Sequence, residues 1–551
     1  MHRHDMKKQP VTSITTLLRR RLMNHRLILN LFVILLVTST KFVFADFPNV
    51  RVSRLGSHDP EEVTISINPT NPLNVAAGAN INYYYYSFDG GKSWSEGRLQ
   101  SKLGVYGDPS VVFDAEGDLF FGHLSNPLDG AWLDRIVVQK SSNGGKNWDS
   151  GVGVGLNPPK HQDKEWLAVD LTNSRYRNRK YMAWTEFDRY GSSNPNDSTR
   201  ILFSCCDNSS WSKPIRISDK GGNCIDNDET VEGAVPAVGP NGEVYISWSG
   251  PLGIMFDKSL DGGKTFGTDI FVTDQPGGWA FQIPGISRCN GMPVTACDIS
   301  DSPYNGTIYV MWSDQRNGIH NTDVFLIKST DGGKTWAERK RVNDDNSKRH
   351  QFFPWMAIDP FTGYIYIVFY DRRNTTENET EVYVAKSTDG GETFQNFKVS
   401  ETAFTPVKNI FFGDYTNIAA YNGMVYPIWM RMDNSNLSIW TAIIADTATG
   451  VEPIKISQID DFSLSQNYPN PFNMCTKIKF SLQKVSHVRI DIFDMQGRHV
   501  RELINKKYGS GEFEIDWDGI NDSYHPVTSG VYLYRIRTMD GEITKKMILL
   551  R

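Results

Sequence analysis

The sequence predicts an all-β protein: an array of like four-stranded units, then a small β-sandwich. Three observations carry this. A turn phrase of the form Ser-x-Asp/Asn-Gly-Gly recurs from Ser87, Ser141, Ser259, Ser329 and Ser387, with a worn copy from Ser204 to Trp211. A near-regular repeat of this size marks equivalent supersecondary units. Aromatic residues make up 12% of the 551 residues and glycines number 46, as strand-and-turn architectures require. The last ninety or so residues change pattern, alternating over short runs separated by Gly-containing turns.

The chain begins with an export signal. Leu27–Val37 is an apolar run of 11 residues, short for a membrane span, and Val43 and Ala45 stand at −3 and −1 of a cleavage site before Asp46. Residues 1–45 are thus expected to be a signal peptide. Met23-Asn-His-Arg26 offers an alternative start. Export makes disulfides available to the six cysteines: Cys289 with Cys297, and Cys224 with Cys205 or Cys206, are open pairings. A net charge of −5 without a basic block excludes nucleic acid as a partner. No Cys or His spacing suggests a metal, and no cofactor is expected.

The units follow in order. The first holds Glu62–Ile67, Asn74–Ala77, the tyrosines 83–86, the turn phrase and Ser95–Leu99. The second spans Asp108 to the turn at Asn143. The third contains Glu165–Val169 and Tyr181–Trp184, the fourth Glu243–Trp248, the fifth Gly306–Trp312 and the sixth Tyr364–Tyr370. Three strands remain at Asp414–Ala419, Met424–Trp429 and Ser438–Ile444, and one is left over at Asn49–Ser53. The expectation is that the N-terminal strand completes a seventh unit and removes an open edge. Residues 446–461 read as a linker, and 462–551 as an Ig-like sandwich with strands at Thr476–Leu482, Val488–Phe493, Glu512–Trp517, Gly530–Thr538 and Glu542–Leu550.

The turn phrase resembles the Asp-box (BNR) repeat. That resemblance implies a β-propeller at 46–445, here of seven blades. Each box would join the outer strands of a blade on the rim, so Asp89, Asn143, Asp261, Asp331 and Asp389 are expected to be structural. The segment Gln466-Asn467-Tyr468-Pro469-Asn470-Pro471-Phe472-Asn473, with Trp517-Asp-Gly519 and Ser529-Gly530-Val531-Tyr532, resembles the type A C-terminal sorting domain of the Por (type IX) secretion system. It implies handling by the outer-membrane secretion machinery, and a destination outside the cell or on its surface, reached through the periplasm.

Propellers bind ligands at the central depression, so the entries to the innermost strands are the places to search. The box array resembles the sialidase superfamily. By that resemblance Tyr415 would be the nucleophile, Glu232 or Glu165 its base, Asp108 or Asp414 the acid, and Arg316 and Arg373 the clamp on the sugar carboxylate. Trp166 and Trp355 are sugar platforms or core. The family's Arg-Ile-Pro signature is absent, and sialidases have six blades. Two functions stay open: a sialidase-like hydrolase acting as a monomer on a glycan or glycoconjugate, or a non-catalytic carbohydrate- or protein-binding adhesion propeller.

Overall fold

The computed structural model describes residues 47–207, 210–446, 462–482, 484–495, 497–538 and 541–551; the expected signal peptide and most of the expected linker lie outside them. The chain divides into two compact units, up to Ile444 and from Ala445 onward. Both are all-β propeller or sheet architecture: the described residues contain strands and no helix.

The first unit is propeller-like. Its sheets each run antiparallel from an innermost to an outermost strand. The innermost strands are Thr64–Ile67, Ser110–Phe113, His161–Val169, Glu232–Val238, Val294–Cys297, Gln351–Ile358 and Asn417–Tyr421. Each packs beside the next, and Asn417–Tyr421 packs beside Thr64–Ile67. Their inner edges would leave backbone N–H groups unpaired, and short polar side chains supply acceptors. Thr64 Oγ1 accepts from Val111 N (3.2 Å), Ser110 Oγ from Leu167 N (2.9 Å) and Asn417 Oδ1 from Ile65 N (3.3 Å). The last of these sheets contains Asn417–Tyr421, Met424–Asp433 and Asn436–Ala442, and its outermost strand is Asn49–Arg51, in register Asn49 with Ala442 and Arg51 with Trp440.

The cores lie between sheets. Trp184, Trp248, Trp312 and Trp429 occupy the second strands of four sheets and are fully buried. Around Trp184, Ile136, Val138 and Val154 of one sheet meet Leu167, Met182 and Leu202 of the next. Burying each such side chain contributes about 1.5–3 kcal/mol.

The boxes are self-satisfied turns. In the first, Ser87 Oγ donates to Asp89 Oδ1 (2.7 Å) and accepts from Gly91 N (2.9 Å). Asp89 also receives Ser93 N (3.0 Å) and Ser93 Oγ (2.6 Å). Gly90 and Gly91 both have φ near the left-handed region (70° and 79°), which only glycine adopts freely. Burial alone would raise Asp261 of the third good box, but the Thr265 and Ser259 hydroxyls and backbone N–H donors hold it down at about 2. Each turn is also hung on the preceding sheet. Asn74 Nδ2 donates to Gly144 O (3.1 Å), Arg179 to Gly262 O (2.7 Å), Lys258 to Gly332 O, Lys328 to Gly390 O (2.8 Å), and Tyr426 OH to Gly90 O (3.2 Å). The worn copy behaves differently: Asp207 takes the guanidinium of Arg179, and Ser204 Oγ donates to Ser212 O.

Neither expected pairing forms: Cys205, Cys224, Cys289 and Cys297 are not in disulfides. Cys224 bridges to Ser192 beside the Thr199 end of the strand Thr199–Asp207, whereas Cys205 and Cys206 stand at its other end. At about 3.3 Å per residue that separation is far beyond disulfide reach. Cys297 packs in the core with Tyr245 and Ile308, while Cys289 lines a cavity near Arg288.

The second unit pairs Phe462–Leu464, Thr476–Leu482 and Gly511–Trp517 in one sheet. The other is ordered His499–Tyr508, Ser486–Asp494, Gly530–Thr538, Gly541–Leu549. Ile478, Phe480, Val488, Ile490, Trp517 and Tyr534 form the core between them. Tyr534 OH donates to Ser465 O (2.8 Å) and accepts from Asn467 N (2.9 Å), anchoring the Gln466–Asn473 opening.

Candidate functional site

One backbone device recurs where the innermost strands begin. Glu62 (φ 54°), Asp108 (50°), Lys164 (52°) and Phe353 (48°) are left-handed although none is glycine, and Gly233 and Gly413 take the same conformation. Bulges follow in three of the strands, between Asp163 and Trp166, Glu232 and Val235, and Phe352 and Trp355. Bulges re-aim side chains, and non-glycine left-handed residues each store about 1–3 kcal/mol, typically at functional sites. Here the result is that successive sheets deliver side chains to one place.

That place is a cavity of about 50 Å³ lined by Asp108, Lys164, Glu165, Trp166, Gly233, Asn290, Met292, Phe353, Trp355, Asp414 and Tyr415, among others. Its floor is aromatic. Trp166 and Trp355 lie 4.3 Å apart centroid to centroid, and Tyr415 packs on them at 5.5 and 5.8 Å. Trp166 and Trp355 also line a second cavity of about 320 Å³, with Ile67, Val112, Val169, Val238 and Ile358, so they are shared by the two cavities. A third cavity, about 250 Å³, adjoins the first and shares Lys164, Asn290, Met292 and Asp414 with it.

The charges form one network. Lys164 Nζ lies 2.5 Å from Asp414, 3.5 Å from Asp108 and 3.8 Å from Glu62. Arg288 grips both oxygens of Asp414, through Nε at 2.8 Å and a second short contact, and reaches Asp226 at 3.2 Å. Asn290 Nδ2 donates to Asp414 O (2.9 Å), and Tyr190 OH to Asp226 (2.7 Å). Asn80 receives Asp108 N at 2.8 Å and donates to Glu62.

Burial would raise Asp414, but Lys164 and Arg288 overcome it and hold the carboxyl well below its ordinary value. Burial would lower Lys164, yet Asp108, Asp414 and Glu62 push it up. Glu165 is pushed far up by burial and by Asp108, and Glu232 by burial and by Asp226. Both oxygens of Glu165 and of Glu232 are buried without a hydrogen-bond partner, as is Asp108 Oδ2. Native proteins rarely leave such groups unserved, which singles this cavity out as the candidate site. Burial, Glu62 and Asp108 raise Tyr415, which keeps its phenol protonated.

Of the residues singled out from sequence, Asp108, Glu165, Trp166, Trp355, Asp414 and Tyr415 line the cavity. Glu232 is fully buried beside it, within the electrostatic reach of Lys164 and Arg288. Arg316 and Arg373 lie elsewhere. Arg316 is bound to Asp314 (2.9 Å) and Asp274, and Arg373 to Asp371 (2.7 Å) and Asn396 (2.8 Å). The cations that do converge, Lys164 and Arg288, were not anticipated, nor were Glu62, Asp163 and Asp226. Among the described residues, no three acidic, histidine or cysteine side chains are arranged to hold a metal ion.

Residues 466–550 match the family model for the secretion system C-terminal sorting domain, and residues 85–96 the BNR/Asp-box repeat. No curated protein matches the chain significantly. Among solved structures, the α-L-arabinofuranosidase Arb93A of Fusarium graminearum is 12% identical over 73% of this chain and 99% of its own, with a TM-score of 0.41. A PL25 ulvan lyase is 10% identical over 72% and 96%, with a TM-score of 0.43. The endosialidase of phage phi92 is 12% identical over 85% and 75%, with a TM-score of 0.44. Likenesses this distant carry no inference about chemistry. The chain thus joins two recognised modules, Asp-box repeats in its first unit and a secretion system C-terminal sorting domain in its second.

Proposed function

We propose that this is an exported, glycan-directed protein. Its first unit, 46–445, is a closed seven-bladed propeller and its second, 462–551, an Ig-like sorting domain, used by a type IX machinery after removal of a signal peptide at 1–45. Seven sheets, five of four strands and two of five, with Asn49–Arg51 beside Asn436–Ala442, support the blade count. The match over 466–550 supports the route. The protein acts as a monomer outside the cell or on its surface.

A single observation carries the functional reading: side chains from different sheets converge on a cavity where Glu165 is buried and unpartnered above an aromatic floor. Aromatic faces beside a few directed polar groups are what sugar recognition needs. In the catalytic form Glu165, whose proton burial and Asp108 help retain, donates it to a leaving oxygen and Asp108 balances the developing charge. Tyr415 positions the ring rather than attacking it, because burial, Glu62 and Asp108 outweigh Lys164 and disfavour the phenolate. A sialidase reaction has less support than other glycoside chemistry, since Arg316 and Arg373 are committed to Asp314 and Asp371.

Binding without hydrolysis is the second reading. It is favoured by the commitment of Asp414 to Lys164 and Arg288, which leaves one fewer free carboxylate for a catalytic pair. The test is a panel of fluorogenic glycosides and a glycan array, run on the wild type and on Glu165→Gln and Tyr415→Phe. Turnover lost by at least about 100-fold in Glu165→Gln supports the hydrolase. Array binding without turnover supports the binding protein. No binding and no turnover refute both.

A further inference from the structure

The central cavity is selective by charge. Among the described residues, Glu62, Asp108, Asp163, Glu165, Asp226, Glu232 and Asp414 are set against Lys164 and Arg288. Both cations are already occupied, Lys164 chiefly with Asp414 and Arg288 with Asp414 and Asp226. What remains without a hydrogen-bond partner is acceptor capacity: both oxygens of Glu165, which is 1% exposed and lines the cavity, while Oδ2 of Asp108, which lines it too, is held only by a long ion pair with Lys164 at 3.5 Å. An acid cluster alone would say little. An unserved carboxyl aimed into an enclosed space of about 50 Å³ specifies what is missing, a compact group that donates hydrogen bonds and tolerates negative surroundings.

We propose that this cavity receives a primary ammonium group, carried by an amino sugar of the ligand, between Glu165 and Asp108. The inference rests on the glycan reading above and narrows its substrate class. The chain itself provides the precedent, because Lys164 places an ammonium among Asp414, Asp108 and Glu62 a few ångströms away. A metal ion needs several ligand atoms converging at fixed distances, and the described residues offer no such set. An ammonium needs only two or three acceptors, which its rotating donors can meet. A sugar carboxylate would meet like charge with no free arginine or lysine to receive it, and so is rejected.

The experiment is calorimetric titration of the purified full chain with glucosamine, N-acetylglucosamine, glucuronate, methylamine and calcium chloride. Wild type should bind glucosamine at least about tenfold tighter than N-acetylglucosamine, the difference expected for one charged hydrogen bond, and should not bind glucuronate. Glu165→Gln, and separately Asp108→Asn, should bring the two affinities to within about twofold. The wild-type comparison stands whether or not the variants fold. Equal or tighter binding of N-acetylglucosamine or glucuronate overturns the inference while leaving the glycan reading intact. Methylamine binding that Glu165→Gln abolishes, with no sugar bound at all, upholds the ammonium site and defeats the glycan reading. Calcium binding that Glu165→Gln abolishes, with no binding of glucosamine or methylamine, overturns the inference in favour of a metal.

Discussion

Replacing Lys164 by methionine should cost the first unit about 3–5 kcal/mol at pH 7, the range for removing one partner of a buried ion pair. The upper end is expected, because the Nζ serves three carboxyls, Asp414 at 2.5 Å, Asp108 at 3.5 Å and Glu62 at 3.8 Å. Methionine keeps the length of the chain, so packing loss is small and the effect is electrostatic. The pH dependence has a definite sign. Asp414 is held below the ordinary 3.8 by Lys164 and Arg288, so its contribution is complete above that pH and disappears as pH falls through the depressed folded value. The variant has already lost part of that contribution. Its deficit should therefore be largest at neutral pH and shrink as the pH falls below about 3.8. Urea unfolding followed by tryptophan fluorescence reports it directly, since Trp166 and Trp355 floor the site. Equal midpoints at pH 7, or a deficit that does not change with pH, would refute the network described here.

Two further outcomes follow from buried groups elsewhere. Tyr370 is fully buried; its hydroxyl donates to Met430 O (2.8 Å) and accepts from Met430 N (3.0 Å), bridging two sheets where the innermost strand of the second has ended. Tyr370→Phe should lose about 2–4 kcal/mol by urea denaturation, because two backbone groups are left unserved; a change under about 0.5 kcal/mol would show that water replaces the phenol. Glu61 is raised to about 8 by burial and by Asp59, against an ordinary 4.5, so the folded state holds the extra proton between those values and stability falls as pH rises through that window. Glu61→Gln should flatten the decline by up to about 1.4 kcal/mol per pH unit, and an unchanged slope of midpoint against pH would place the proton elsewhere.

Much of the architecture was legible because its determinants are local. The Asp-Gly-Gly turns announce themselves through residues four apart that bond to one another, as Ser87 does to Gly91. The leftover strand at Asn49 could be matched to the sheet lacking one by counting alone, and it pairs with Asn436–Ala442. The candidate site was half legible. Asp108 and Asp414 stand just before innermost strands and Glu165 at the bulge within one, where a repeat array makes equivalent positions converge. Arg288 was not, because it comes from the short ribbon Ala280–Phe281 with Cys289–Asn290, which breaks the repeat. Lys164 was hidden by its chemistry: in sequence it is a lysine between two acids, and only the fold adds Asp414 from 250 residues away. Arg316 and Arg373 misled for the converse reason, since each sits two residues after the aspartate that binds it.

The pairing of Asn49–Arg51 with Trp440–Ala442 sets a schedule. The strand that leaves the ribosome first waits for a partner encoded almost 400 residues later, roughly 20–80 s at ordinary synthesis rates. Until then the seventh sheet lacks its outer strand, and the Asn49 side chain lacks the Val399 carbonyl it binds at 2.7 Å. Completion of this sheet is therefore available only to a chain synthesised as far as Ala442. A precursor destined to cross membranes gains a built-in delay, and any product truncated before Ala442 is marked for aggregation or proteolysis by the edge it cannot cover.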